Sequence, residues 1–188
     1  EWSVLIELGL PDGLDGEEAL AALYDPALCG AAVVAQNGAQ AQAFWALREA
    51  LPLANKRVGA ISSHDISVPL GAVPEFITAA IDCVAQMGAF RINCFGHVGD
   101  GNLHFNVFPP EGETREAYLP RAGAIKAAVH ELVMGFDGSV SAEHGVGRLK
   151  VEDLERFKDP VALEMMRAVK AALDPYGILN PGAVLRAG

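Results

Sequence analysis

The segment from Phe90 to Phe108 limits the possible fold more than any other, because it alternates apolar and polar residues on both sides of an Asp-Gly dipeptide. Asp100 and Gly101 tolerate the positive φ of a tight turn, so the segment is predicted to be a β-hairpin. Ile92, Cys94, Leu103, Phe105 and Val107 fall on one face, which suits a core. Asn93, Phe95, His97, His104 and Asn106 fall on the other. A slip of one residue would bury the polar set and expose the apolar one, so this phase is favoured. With Asp100 and Gly101 as the central turn residues, Gly99 pairs with Asn102, Val98 with Leu103 and His97 with His104. Opposed side chains stand roughly 4.5–5.5 Å apart, close enough for two imidazoles to converge on one metal ion.

Other segments add helices. Residues 15 to 24 and 36 to 50 read as helical, the second carrying Phe44, Leu47 and Leu51. Residues 57 to 69 read as extended. Helices are expected over about 72 to 87, 115 to 134 and 160 to 173, with a Gly-rich segment at 138 to 147 and an extended Asn180-Pro181-Gly182 tail. Strands separated by helices, with one clear hairpin, indicate an α+β class: a largely antiparallel sheet with helices packed on it and ferredoxin-like elements.

The chain has 188 residues and a formal net charge of −10. That charge argues against a broad nucleic-acid surface, which needs clustered Lys and Arg. An anionic substrate would need a local cation or metal to overcome it. The apolar stretches are short and interrupted, so no transmembrane segment is expected. Cys29, Cys83 and Cys94 form no CxxC pattern and no even-numbered disulfide framework, which fits a reducing cytoplasm.

Glu143 and His144 lie adjacent among small residues in Gly138-Ser-Val-Ser-Ala-Glu-His-Gly145. Two histidines and one carboxylate with open positions suit catalytic Zn²⁺ and equally non-haem Fe²⁺. His64 is read as a strand residue near the site at best, and His130 as helix surface.

Three motifs, Cys94-Phe-Gly-His-Val-Gly-Asp-Gly-Asn-Leu-His104, Gly138 to Gly145, and Asp174-Pro-Tyr-Gly-Ile-Leu-Asn-Pro-Gly182, stand in this order along the chain. Together they resemble the C-terminal domain of FAD-linked oxidases. This is the family of D-lactate, D-2-hydroxyglutarate and glycolate dehydrogenases, related to vanillyl-alcohol oxidase. The resemblance spans residues 1–188. It implies that His97, His104 and Glu143 hold a metal, usually zinc, and that His144 is the general base. It implies further that Arg48 and Asn106 bind substrate and that Asn180 approaches the flavin.

Two positions depart from the family's pattern. Ser63 stands where members often carry Lys, and Ala183 where the tail often reads Asn-Pro-Gly-Lys. Neither touches the metal or base positions.

The function so implied is oxidation of a D-2-hydroxy acid to a 2-oxo acid with FAD. Val4, Ile6 and Leu8 read as a strand at the very start, with no initiator Met, so the chain is expected to be a piece of a longer protein. FAD would then be bound mainly by an N-terminal domain absent from this chain, and the isolated domain is expected to be inactive. The resemblance leaves a homodimer and the electron acceptor open. It places the protein in the cytoplasm of a bacterium or the matrix of a mitochondrion. The competing readings are a flavoprotein for another substrate class, a metal-dependent hydrolase or non-flavin oxygenase, and a non-catalytic metal-binding or assembly module.

Overall fold

The computed structural model describes residues 2–186. It divides into two compact units, Glu1–Arg57 and Val58–Gly188.

In the first unit, helix α1 (Gly16–Leu23) starts at Asp15, whose carboxylate accepts the N–H groups of Glu17 and Glu18 at 2.8 and 3.1 Å. That bond pair satisfies two of the donors a helix start leaves open. Helix α2 (Gly38–Val58) is opened by Asn37, whose Oδ1 accepts the N–H of Gln40 at 3.0 Å. It runs through Pro52, eight residues beyond the predicted end at 50. Pro52 cannot donate to the Arg48 carbonyl and costs this helix one internal bond, but it does not end it. The predicted strand at Val4, Ile6 and Leu8 does not form: among the described residues it has no ladder partner, and these side chains are exposed. Alternation supplies the pattern of a strand but not the second strand it needs.

The second unit is built on a three-stranded antiparallel sheet of order β1-β3-β2. Its strands are β1 (Ser62–Ser67), β2 (Arg91–His97) and β3 (Asn102–Phe108). The fold is α+β, as expected. Ile66, Leu103, Phe105 and Val107 point to one face and are buried there against helix α3 (Val73–Met87) and helix α5 (Ala122–Gly135). From α3 come Val73, Phe76, Ala80 and Val84; from α5 come Ile125, Val129 and Val133. The window Leu70–Met87 is long and apolar enough, by length and composition alone, to cross a membrane, contrary to the expectation above. Its buried stripe instead packs in this core.

The predicted helix over 115 to 134 is divided. Helix α4 (Arg115–Tyr118) gives way to a 3₁₀ turn at Leu119–Arg121 before α5 begins, because Pro120 cannot donate to the preceding turn. Helix α6 (Val151–Phe157) was not anticipated, while α7 (Pro160–Leu173) matches its expected bounds and is capped by Asp159. The tail is a run of turns and not extended. The Asp174 carboxylate ties it by accepting the N–H groups of Ile178 and Leu179 at 3.0 and 2.9 Å.

The hairpin forms with a different register. Phe95 pairs with His104, Gly96 with Leu103 and His97 with Asn102. The turn is a 3₁₀ turn over Val98–Asp100, followed by Gly101 in the left-handed region at φ 72°. A Cβ on Gly101 would lie 2.1 Å from the Val68 carbonyl oxygen, so the close approach of β1's end requires glycine. The shift from the predicted pairing is two residues. Side chains alternate with period 2, so both faces keep their predicted members.

A candidate metal and general-base site

The polar face of the sheet is the floor of the site. Row by row it carries Ser67, Asn102 and His97; then Asp65, His104 and Phe95; then Ser63, Asn106 and Asn93. Above the floor runs the loop bearing Glu143 and His144. An isolated bridge between Ser67 and Ser139 brings the loop to the edge of β1, with bonds of 3.0 and 2.8 Å. A Cβ on Gly138 would lie 2.4 Å from the Ser67 carbonyl oxygen, so glycine is needed where the loop meets the strand.

His97, His104 and Glu143 come together. The Nε2 atoms of His97 and His104 stand 3.8 and 3.7 Å from Oε1 and Oε2 of Glu143, one imidazole to each oxygen. These separations are too long for hydrogen bonds. Two ligands roughly 2.0–2.1 Å from one zinc ion stand about 3.4 Å apart at the tetrahedral angle; each imidazole is near that distance from its own Glu143 oxygen, but the three ligand atoms do not all lie within 4.8 Å of one another, so the side chains would have to turn inward to close on an ion. Borderline nitrogen and hard oxygen donors suit a divalent transition metal, and the residues present fit such a group.

Asn102 is a site residue that reading the sequence missed. Its side-chain amide donates to Glu143 Oε1, and the residue is 3% exposed. A carboxylate can only accept, which assigns the NH₂ to that contact. The missed signal was the register: a two-residue turn pairs Asn102 with Gly99, whereas the actual pairing puts it opposite His97.

Asp65 was also missed. It is 6% exposed on β1, paired with His104. Its carboxylate accepts the N–H of Glu143 at 3.2 and 3.3 Å, the N–H of His144 at 3.1 Å and the Lys150 ammonium at 3.3 Å. Burial works to raise its pKa. The two amide bonds and the Lys150 charge outweigh that and hold it below the ordinary carboxylate range.

His144 is the most open of the group, with its side chain 69% exposed and Nδ1 3.9 Å from Asp65 Oδ2. Its ring centroid lies 5.9 Å from that of His104. An accessible imidazole beside His104 and Glu143 can take a proton from a bound ligand.

Asn106 is buried two residues along β3 from His104, its amide directed at the His104 and Asn93 carbonyls at 3.3 and 3.5 Å. Asn180 takes a left-handed conformation, φ 49°, and its Oδ1 accepts from Arg148 Nη2 at 3.0 Å. The Val184 N–H reaches the Gly147 carbonyl at 2.6 Å, so the tail is tied to the loop that carries Glu143 and His144. Arg48 lies on α2 in the first unit.

Two histidines lie elsewhere than expected. His64 faces the core, on the opposite side of the sheet from Asp65, and is 3% exposed. His130 is not helix surface. It is buried, its Nδ1 is 2.9 Å from Asp153 Oδ1, and its ring meets that of His64 edge-on at 5.3 Å. Neither belongs to the site.

The second unit is an antiparallel sheet whose polar face presents imidazoles and amides beneath a Glu-His loop. The family model for FAD linked oxidases, C-terminal domain, matches residues 2–184, and the chain belongs to that family. It is 39% identical over 163 residues to a D-2-hydroxyglutarate dehydrogenase of Stutzerimonas stutzeri (strain A1501), covering 82% of this chain and 33% of the relative. The mitochondrial D-2-hydroxyglutarate dehydrogenases of Bos taurus and Arabidopsis thaliana are 39% and 34% identical. Each match covers 97% of this chain, and 33% and 32% of those relatives. The chain thus spans about a third of the length of these relatives.

Proposed function

We propose that this domain supplies the metal- and substrate-binding part of an FAD-dependent dehydrogenase that oxidises a D-2-hydroxy acid to the 2-oxo acid. The observation that carries the reading is the convergence of His97, His104 and Glu143, with His144 beside them. The names of the relatives favour D-2-hydroxyglutarate as substrate; D-lactate is the other member of the class to test.

The reaction removes a proton from the substrate hydroxyl and a hydride from the α-carbon. A bound divalent ion such as zinc would supply acidification of the substrate hydroxyl, and a flavin would supply the hydride acceptor. His97, His104 and Glu143 would hold the ion, and Asn102 fixes one Glu143 oxygen. His144 takes the hydroxyl proton, while Asn106 on β3 holds a substrate oxygen. Asn180, in the tail tied to the Glu143-His144 loop, would approach the flavin, which a separate domain of the same protein would bind. A bacterial cytoplasm, or a mitochondrion as the names of the eukaryotic relatives state for them, suits that chemistry.

The test is anaerobic mixing of the full-length protein with a panel of D- and L-2-hydroxy acids, following the flavin absorbance. Bleaching by one D-hydroxy acid, abolished by chelation and by His144→Ala, is expected. No bleaching by any hydroxy acid would overturn the assignment and favour another flavoprotein substrate or a non-catalytic metal-binding module.

A further inference from the structure

We propose that Asp65 is a positioning residue, which hangs the Glu143-His144 backbone from the edge of the sheet and so sets both a metal ligand and the base at once. This deepens the function proposed above and rests on it. Asp65, Glu143 and His144 bring their ligand atoms within 4.8 Å of one another, which on spacing alone would make Asp65 a metal ligand itself. Its oxygens are already engaged. Oδ1 accepts one amide contact from Glu143, and Oδ2 accepts from Glu143, His144 and the Lys150 ammonium. An ion on Oδ2 would have to displace a cation and two N–H donors.

The backbone of Asp65 extends the same grip. Its carbonyl accepts the Ala142 N–H at 3.3 Å and Lys150 Nζ at 3.2 Å. Three consecutive loop amides, those of Ala142, Glu143 and His144, therefore end on one residue. Lys150, at the far end of the loop, closes it by reaching back to the same carboxylate. Because Asp65 pairs directly with His104, the anchor of the loop and a floor ligand share one rung of the sheet. The distance between the two ligand sets is then fixed by a strand pairing and not by a free loop.

Asp65→Asn keeps the shape but presents an NH₂ where N–H donors and an ammonium now point. In the full-length protein, hydrogen exchange of the Ala142–His144 amides is expected to quicken at least tenfold. Equilibrium binding of Co²⁺ should weaken roughly 10- to 100-fold, the range for residues that orient metal ligands, with a changed visible spectrum of the bound ion. At saturating metal, kcat should fall at least tenfold while KM for the hydroxy acid moves less than about threefold, since misplacing a base costs rate before binding. Lys150→Met leaves both amide bonds and should hold Co²⁺ affinity within about threefold of the wild type.

Unchanged exchange in Asp65→Asn overturns the inference. So does faster exchange with Co²⁺ spectrum and kcat unaltered, or a Lys150→Met loss as large as that of Asp65→Asn. If Asp65→Asn does not fold, Lys150→Met alone decides, since the amide anchor predicts retained metal. Wild-type protein with protected Ala142–His144 amides that binds no Co²⁺ overturns the proposed function, with the positioning role falling alongside it; the protected amides identify that as the failure of the function.

Discussion

His104 stands opposite Phe95, not His97: their ring centroids are 4.9 Å apart with planes inclined by 38°. The aromatic ring fills one side of the His104 imidazole, and the Asp65 rung lies on the other. His104 is therefore held by neighbours in both directions of its row, which suits a ligand that must keep one orientation.

Removing that neighbour should be felt at the metal. Phe95→Ala frees the His104 ring to rotate and is expected to weaken metal binding roughly tenfold, the lower end for loss of an orienting contact. Isothermal titration of metal into the apo protein measures it; affinity equal to wild type would remove Phe95 from the design.

The ligand set itself gives a sharper expectation. His97→Ala, His104→Ala and Glu143→Gln should each reduce bound metal, and dialysis against a chelator should abolish flavin reduction in the full-length enzyme. Readdition of Zn²⁺ should restore it to wild type but not to His104→Ala. Metal content by elemental analysis alongside turnover separates loss of the ion from loss of the fold.

Acid should destabilise the second unit through two groups whose ranges overlap near pH 3 to 4. Burial, with the charges of His130, Lys126 and Lys150 adding to it, pushes His64 down from 6.5 to about 3, against the opposing pull of Asp153. His64 is then neutral in the folded state where the unfolded chain binds a proton. The unfolded state holds more protons between about 3 and 6.5, so stability falls as pH drops through that window. Asp65, with its pKa depressed, contributes stability that is present above 3.8 and is lost as pH falls through its lower folded value. Urea unfolding of His64→Leu should have a flatter pH dependence than wild type from pH 6.5 to 4, by on the order of a few kcal/mol. An identical slope in both proteins would show that His64 is not the acid-sensitive group.

Core packing sets the scale against which these site effects are judged. Phe105 is fully buried at the centre of the sheet. Phe105→Ala should cost about 3–5 kcal/mol through lost burial and the cavity left behind, measurable by chemical denaturation. A loss below 1 kcal/mol would mean that α3 and α5 can collapse onto the vacated space.

The hairpin, its two faces and the Glu-His loop were legible in the sequence because each is encoded by neighbours. Alternation around Asp100-Gly101 assigns faces without any knowledge of the third strand. The register was not legible, since a two-residue turn and a 3₁₀ turn closed by Gly101 leave the same alternation behind. Asp65 and Asn102 escaped for a related reason. Their roles depend on which residues lie across from them, and only the paired strands decide that. His64 and His130 were misplaced because a buried imidazole with a carboxylate or hydroxyl nearby has no mark in sequence that distinguishes it from a surface one. The second helix was read as ending at 50, although it runs on through Pro52 to Val58 because a long helix tolerates one missing bond.

The two-residue offset in the hairpin also bears on how such a chain can change length. Inserting or deleting a pair of residues near Gly101 would move each rung's partners yet return every side chain to its own side of the sheet, leaving imidazoles above and hydrocarbon below. A single-residue change on one strand would turn that strand's pattern over and put His97 or His104 among the valines. Length variation at this turn is therefore expected in even steps, with odd ones tolerated only where a bulge absorbs the extra residue before it reaches His97.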